Sequence, residues 1–156
     1  MEWVGAALVH AVVASVGLRL AVIDLATHRL PDRLTQPLAL VVGTWGLVFL
    51  PTDRLHEALG ETVASVAFFA LCALMPGRPL GWGDVKLQVS VGFYTGALIP
   101  GGALAHVVVS FVLGGVSAGV LMMKKVVTPQ EGIPFGPFMV AAALVVAGVV
   151  GSEKII

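Results

Sequence analysis

Long apolar runs alternate with short polar segments along the whole chain. A membrane-spanning helix needs about 20 mostly apolar residues, with roughly 17 tolerated. Every backbone polar group of such a segment must pair within it, which favours helices over irregular structure. Runs of about this length predict the following helices: Trp3 to Ala26, Leu34 to Leu50, Glu57 to Met75, Val85 to Ile99, Leu104 to Met123 and Ile133 to Val150.

Proline and glycine mark most of the connections between these runs, as at Pro31, Pro51 and Pro100-Gly101-Gly102. Proline lacks an N–H and glycine adopts positive φ at little cost, so both residues are typical of helix ends. Because the connections are short, we predict an all-α membrane protein, a compact bundle of six transmembrane helices that forms a single domain over residues 1–156. The run from Val85 is the most polar, so we expect that helix to line something wet.

The composition supports a membrane protein, with 58% hydrophobic and 12% charged residues where soluble domains carry about 25% charged residues. Nine basic residues balance nine acidic ones, so no net field attracts nucleic acid, and nucleic-acid partners are excluded. The single cysteine, Cys72, excludes an internal disulfide and a multi-cysteine zinc site and is expected to pack in the interior.

Lysine and arginine predict the orientation. With six spans, Arg54 and Lys154 fall on one side, and the other side collects Arg29, Arg33, Arg78, Lys86, Lys124 and Lys125. The positive-inside bias then places both termini outside and the basic loops in the cytoplasm. The first run follows Glu2 and lacks a signal-peptide cleavage site, so we predict a retained span in a multi-pass protein of the cytoplasmic membrane.

Two acidic residues are the main candidates for chemistry, because carboxylates at membrane depth are costly. Asp24 ends the first span and Asp84 opens the fourth, both at the predicted cytoplasmic end. Two carboxylates in one site are not both ionised comfortably, so the pair holds a single proton near neutral pH. That state suits an aspartic protease, in which one carboxylate activates water and its protonated partner assists the oxyanion. Gly81 and Gly83 would allow close backbone approach just before the helix starts.

Spacing alone leaves other interpretations open. Asp84 could be a helix N-cap, and Asp24 could reach the lipid headgroups. In a proton-coupled transporter subunit the same acids would relay protons, but that function predicts acids strung across the membrane rather than at one interface. His10 and His106 are too far out to take part and are expected to form interhelical hydrogen bonds. The acidic stripe of Asp53, Glu57 and Glu61 predicts a solvated outer face.

Three segments carry a family resemblance: Ile23 to Asp32, GWGDVKL from Gly81 to Leu87, and Ile133 to Phe138. In order and spacing they resemble the type IV prepilin peptidases, prokaryotic membrane-embedded aspartic proteases with a G-x-G-D motif that include the archaeal preflagellin peptidases. The resemblance covers the whole chain. It implies that Asp24 and Asp84 are the catalytic pair, and that the substrates are N-terminal leaders of pilin, pseudopilin or archaellin-type subunits, cut at the cytoplasmic face.

The resemblance also favours a site-lining role for the residues between Ile133 and Phe138, namely Pro134, Phe135, Gly136 and Pro137. A plain proline-marked helix start is the alternative, whereas an extended strip could pair with substrate backbone. The GWGD turn would shape the same cleft, and Lys86 would either tune the catalytic pair or snorkel to the lipid headgroups. His28, one turn after Asp24, would face the site or stay exposed in a loop.

Longer bacterial members carry an added N-terminal cytoplasmic region with paired C-x-x-C motifs and an N-methyltransferase activity. This chain starts directly in a span and has one cysteine. It therefore resembles a short, peptidase-only form, for which we expect no metal and no other cofactor. A non-cleaving relative that assists pilus assembly would retain the same fold and is the remaining alternative.

Overall fold

The computed structural model describes residues 2–76, 80–125 and 133–153. Within these ranges the chain is entirely helical apart from turns and connections, which confirms the all-α prediction. Arg78 and Lys154, two residues of the predicted charge asymmetry, lie outside the described ranges. The helices are α1 (Glu2–Thr27), α2 (Asp32–Phe49), α3 (Thr52–Leu74), α4 (Trp82–Leu98), α5 (Gly102–Met123) and α6 (Gly136–Glu153).

Three of the helix starts differ from the predicted ones by several residues. Helix α3 begins at Thr52 rather than Glu57, because Pro51 precedes the first turn and its carbonyl oxygen accepts a hydrogen bond from the Leu55 N–H at 2.9 Å. Helix α4 begins at Trp82 rather than Val85. Helix α6 begins at Gly136 rather than Ile133, since proline disfavours helical backbone in the residue before it.

Helix α4 lies at the centre of the bundle, packed against α2, α3, α5 and α6. Twelve of its 17 residues are buried. Its polar side chains bond to protein: Gln88 Nε2 donates to Ser65 Oγ at 3.1 Å, and Thr95 Oγ1 donates to the Val91 carbonyl oxygen at 2.8 Å. The expectation that this helix lines something wet was therefore wrong beyond its first turns, because these side chains are buried and bond to α4 itself or to a neighbouring helix.

Within the part of the chain that the structure describes, three segments are long and apolar enough to cross a membrane: Gly5–Thr27 of α1, Thr52–Leu74 of α3 and Gly102–Met123 of α5. Gly136–Val149 of α6 is a shorter apolar helix. Large apolar side chains are also exposed on the outer faces of the bundle, among them Leu18, Leu47, Leu71, Leu104 and Met123. These surfaces fit a lipid environment better than water, because soluble proteins seldom expose such extended apolar area.

His10 and His106 form the expected interhelical contacts. Tyr94 Oη and His10 Nδ1 are 2.9 Å apart and join α4 to α1. His106 Nε2 lies 2.9 Å from the Met139 carbonyl oxygen and joins α5 to α6. Cys72 is partly buried and packs against the hydrophobic core, as predicted.

The prediction of a wholly solvated acidic stripe was wrong for Glu61. Its carboxylate accepts hydrogen bonds from the backbone N–H of Gly101 at 2.6 Å and of Ala103 at 3.0 Å. The first N–H groups of a helix have no intrahelical partner, and Glu61 supplies one at the start of α5. Gly101 itself has φ +74°, a left-handed conformation that favours glycine. Glu57 pairs with Arg54 and remains exposed, as expected.

Candidate active site

Asp24 lies in the last turn of α1 and is only 5% exposed. Helix α1 ends at Thr27, one turn after Asp24. The His28 N–H still donates to the Asp24 carbonyl oxygen at 2.8 Å, but His28 has φ +52°, which takes the chain out of the helix. The Asp24 side chain turns toward α6, where the backbone N–H of Gly136 donates to Oδ2 at 2.9 Å. A Cβ on Gly136 would lie 2.8 Å from the same oxygen, so glycine is needed for this close approach.

Asp84 lies in the first turn of α4 and is 8% exposed. Its Oδ2 accepts a hydrogen bond from the Gly81 N–H at 3.0 Å, in the manner of a capping box. The GWGD segment is thus not a turn before the helix, because Trp82 and Gly83 are already helical. The helix starts early because Gly81 has extended backbone and Asp84, the third helical residue, satisfies its N–H.

Gly83 and Leu30 bring the two acidic segments together. A Cβ on Gly83 would lie 3.0 Å from the Leu30 Cβ, so the start of α4 packs closely on the connection that follows α1. Leu30 is buried and also lies within contact of Gly136. Local packing therefore joins the end of α1, the start of α4 and the start of α6.

One cavity of about 280 Å³ is lined by both carboxyl groups. Its lining combines carboxylates with cationic side chains, and it consists of Asp24, His28, Arg29, Leu30, Asp32, Gly81, Trp82, Gly83, Asp84 and Lys86. The structure thus brings together Asp24, Gly81, Gly83, Asp84 and Lys86 from the predicted set. His28 is both exposed and part of this lining.

Asp32, Arg29 and Trp82 line the cavity without having been singled out in the sequence. Asp32 pairs with Lys86, whose Nζ lies 2.7 Å from Oδ1 and 2.8 Å from Oδ2. This ion pair links α4 to the first turn of α2. The signal for Asp32 was its place in the first of the three resembling segments, eight positions after Asp24.

The segment from Ile133 to Phe138 meets the site through one residue. Gly136 bonds to Asp24, whereas Phe135 turns its ring into a cluster with Phe69 and Phe111 on α3 and α5. Pro134 and Pro137 are half-buried. As far as the structure describes the chain, the cavity lining contains none of Pro134, Phe135, Gly136 and Pro137.

The arrangement can hold and move a proton, since two buried carboxyl groups that face one cavity favour a singly protonated state. In the described ranges, no three side chains of His, Cys, Asp and Glu come together in a way that could hold a metal ion.

Residues 11–152 match the Type IV leader peptidase family, and the chain belongs to this family. Among its relatives, the leader peptidase HopD of Escherichia coli is 35% identical over 127 residues, covering 75% of this chain and 77% of that protein. The leader peptidase HopD of Salmonella typhimurium is 30% identical over 140 residues, which cover 85% of this chain and 86% of that protein. Membership identifies the chain as a peptidase, a hydrolase, and confirms the resemblance seen in the sequence.

A longer relative, the prepilin leader peptidase/N-methyltransferase of Stutzerimonas stutzeri, is 33% identical over 133 residues, which cover 82% of this chain and 45% of that protein. The chain thus spans a little under half the length of that relative. No solved structure matches the chain. Together, the family and the apolar helices indicate a multi-pass protein of the bacterial inner membrane.

Proposed function

We propose that the chain is a membrane-embedded aspartic endopeptidase that removes the N-terminal leader peptide of type IV prepilin-like subunits. The observation that carries the proposal is the placement of Asp24 and Asp84. They come from different helices, both are buried, and both line one cavity. The names of the relatives support the substrate class, since several are prepilin leader peptidases.

In the proposed reaction, the ionised carboxylate of the pair takes a proton from a water molecule held between the two groups. The water oxygen attacks the carbonyl carbon of the scissile peptide, and the protonated carboxyl group donates its proton to the developing oxyanion. As the tetrahedral intermediate collapses and the C–N bond breaks, the first carboxyl group gives the leaving nitrogen the proton it took from water. The second carboxylate takes a proton back from a hydroxyl group of the intermediate, which restores the starting state of the pair. No cofactor takes part in these steps.

We propose that all of the helices α1 to α6 span the membrane and that the cavity faces the cytoplasm. Asp24 and Asp84 then lie at the same end of the bundle as Arg29, Arg33 and Lys86. The positive-inside bias assigns this basic end to the cytoplasm. A prepilin leader would enter the cavity from that side, while the lipid bilayer covers the apolar flanks.

The test is cleavage of a leader-bearing prepilin by the purified protein in liposomes, with Asp24→Asn and Asp84→Asn beside the wild type. Each substitution removes one ionisable group at nearly constant shape, so each should lower the cleavage rate by about 10³-fold or more. Asp53→Asn is the matched control, because Asp53 is an exposed aspartate in the first turn of α3.

Full cleavage by either variant, with folding confirmed by thermal unfolding, would contradict the two-aspartate mechanism. A wild-type protein that cuts none of several leader-bearing substrates would contradict the proposed activity and favour an assembly role. Protease access from the two sides of sealed vesicles to tags placed in the connections would test the orientation.

A further inference from the structure

A cluster of aromatic rings lies beside the start of α6. The ring of Phe135 has its centroid 5.0 Å from that of Phe111 on α5 and 6.1 Å from that of Phe69 on α3. Phe138 lies 6.2 Å from Phe135 on its other side. Phe69 is fully buried. Tilted and edge-to-face ring contacts at these separations are favourable, so Phe135, just before α6 begins, is held by α3 and α5.

The residue after Phe135 is the one that contacts Asp24. The Gly136 N–H belongs to the planar peptide group that begins at Phe135, so the position of Phe135 sets the direction of that N–H. The Phe135 carbonyl oxygen also accepts hydrogen bonds from the N–H groups of Phe138 at 3.0 Å and Met139 at 3.3 Å. Phe135 thus packs its ring in the cluster and accepts the first hydrogen bonds of α6. It also orients the Gly136 N–H that donates to Asp24.

Helix α5 leaves room for this ring at one position. A Cβ on Gly114 would lie 2.9 Å from Phe135 Cε2, so any side chain there would push against the ring. At the next residue, Gly115, a Cβ would meet nothing within 4 Å. The Phe135 ring therefore packs against the rings of Phe69 and Phe111 and occupies the space that a side chain at position 114 would fill.

We propose that Phe69 and Phe111 are positioning residues for peptide cleavage, acting through Phe135 to hold the Gly136 N–H against Asp24. Neither residue lines the cavity that contains the two carboxyl groups. Their effect on cleavage rests on the proposed function, whereas their effect on the Gly136 N–H does not. Displacing the ring should misalign Asp24 for catalysis without removing any group that lines the cavity.

The first test compares Phe111→Leu with Phe68→Leu. Phe68 belongs to the same cluster, with its ring 5.7 Å from Phe111 and 6.2 Å from Phe69, and it has no ring contact with Phe135. We expect Phe111→Leu to lower kcat by about tenfold or more with KM unchanged, because small displacements of reacting groups are costly. Phe111→Tyr keeps the ring, so its kcat should match that of the wild type. The kcat of Phe68→Leu should also match the wild type.

A second readout needs no substrate. Gly136 is the first residue of α6, so its N–H has no intrahelical partner and its protection from hydrogen exchange reports the bond to Asp24. Nuclear magnetic resonance of the ¹⁵N-glycine-labelled protein should show faster exchange at Gly136 in Phe111→Leu than in the wild type. Phe68→Leu should match the wild type.

A second pair of variants moves the ring without deleting it. Gly114→Ala adds a methyl group against Phe135, whereas Gly115→Ala adds the same group in open space with the same change in helix propensity. We expect faster Gly136 exchange and lower kcat in Gly114→Ala alone.

Unchanged exchange at Gly136 in both Phe111→Leu and Gly114→Ala would overturn the proposal, as would equal losses of kcat in Phe111→Leu and Phe68→Leu. Failure of the wild type to cleave any prepilin would count against the proposed function instead, and the exchange measurement would still decide whether the aromatic cluster positions Gly136.

Discussion

The Lys86 ammonium contacts both carboxylate oxygens of Asp32, at 2.7 and 2.8 Å, although the two residues are 54 positions apart. Both side chains are about half exposed, at 49%, and both line the cavity that contains Asp24 and Asp84. The cavity therefore holds a third carboxylate whose charge is matched by a cation on the same helix as Asp84. The pair also fixes the start of α2 to the start of α4.

Replacing Lys86 should affect activity more than stability. An exposed ion pair contributes only about 0–1 kcal/mol to folding, so Lys86→Met should change thermal unfolding little. It would remove the cation that pairs with Asp32 and leave that carboxylate charge beside Asp24 and Asp84, and under the proposed function we expect cleavage to fall several-fold. The double variant Lys86→Met/Asp32→Asn removes that charge and should recover part of the lost rate. A double variant no faster than Lys86→Met would count against this electrostatic role.

Gly136→Ala should abolish most activity while the bundle still folds. The added Cβ would stand 2.8 Å from Asp24 Oδ2, so the carboxyl group or the helix start must move. We expect at least about a hundredfold loss of cleavage, since a displacement near 1 Å has that cost. Gly43→Ala, in α2 with nothing within 4 Å of its Cβ position, is the control and should cleave normally. Wild-type rates in Gly136→Ala would show that the close approach is unimportant.

Glu61 is expected to be the structurally important acid of the outer stripe. Glu61→Ala leaves the N–H groups of Gly101 and Ala103 without their carboxylate and should lower the free energy of unfolding by about 1–3 kcal/mol. Glu57→Ala removes only an exposed partner of Arg54 and should cost less than about 1 kcal/mol. Thermal unfolding in detergent compares the two variants. Equal destabilisation would contradict the capping role of Glu61.

Tyr94→Phe should reduce stability without changing cleavage. It deletes the hydroxyl that contacts His10 at 2.9 Å, and a hydrogen bond of this kind contributes about 0.5–1.5 kcal/mol. His10 lies 14 residues before Asp24 on α1, about 21 Å along the helix, so the cavity is unaffected. Unfolding and cleavage assays on the same preparation check both parts, and a marked loss of kcat would show long-range coupling to the site.

The helices were predictable because membrane helices follow a simple length and polarity rule. Apolar runs bounded by Pro31 and Pro51 placed α2 and α3. The polar first turns of helices, such as Thr52 to His56, were missed, and α6 begins and ends three residues later than predicted. The pattern of apolar residues could not show that Trp82 and Gly83 are helical, because the glycines of GWGD are typical of a turn. That outcome depends on the hydrogen bond between Asp84 and Gly81.

The cavity was predictable only in part. Asp24, Asp84 and the glycines of GWGD were found from their acidity at the membrane boundary and from the family resemblance. The contact of Gly136 with Asp24 spans 112 positions, and the pairing of Lys86 with Asp32 spans 54. No periodicity encodes such contacts, because they depend on which helices become neighbours. The role of Glu61 was missed for the same reason.

The central position of α4 has a consequence for how a substrate is recognised. Four helices pack against α4, and its exposed side chains, Trp82, Lys86 and Val89, lie in its first half, so under the proposed function a leader peptide would approach Asp84 from the end that opens into the cavity. On that proposal, substrate choice would reside in residues 28–32 and 81–86, which contribute most of the cavity lining. The remainder of the bundle, with its exposed apolar side chains, would then serve to hold these two stretches at the membrane surface.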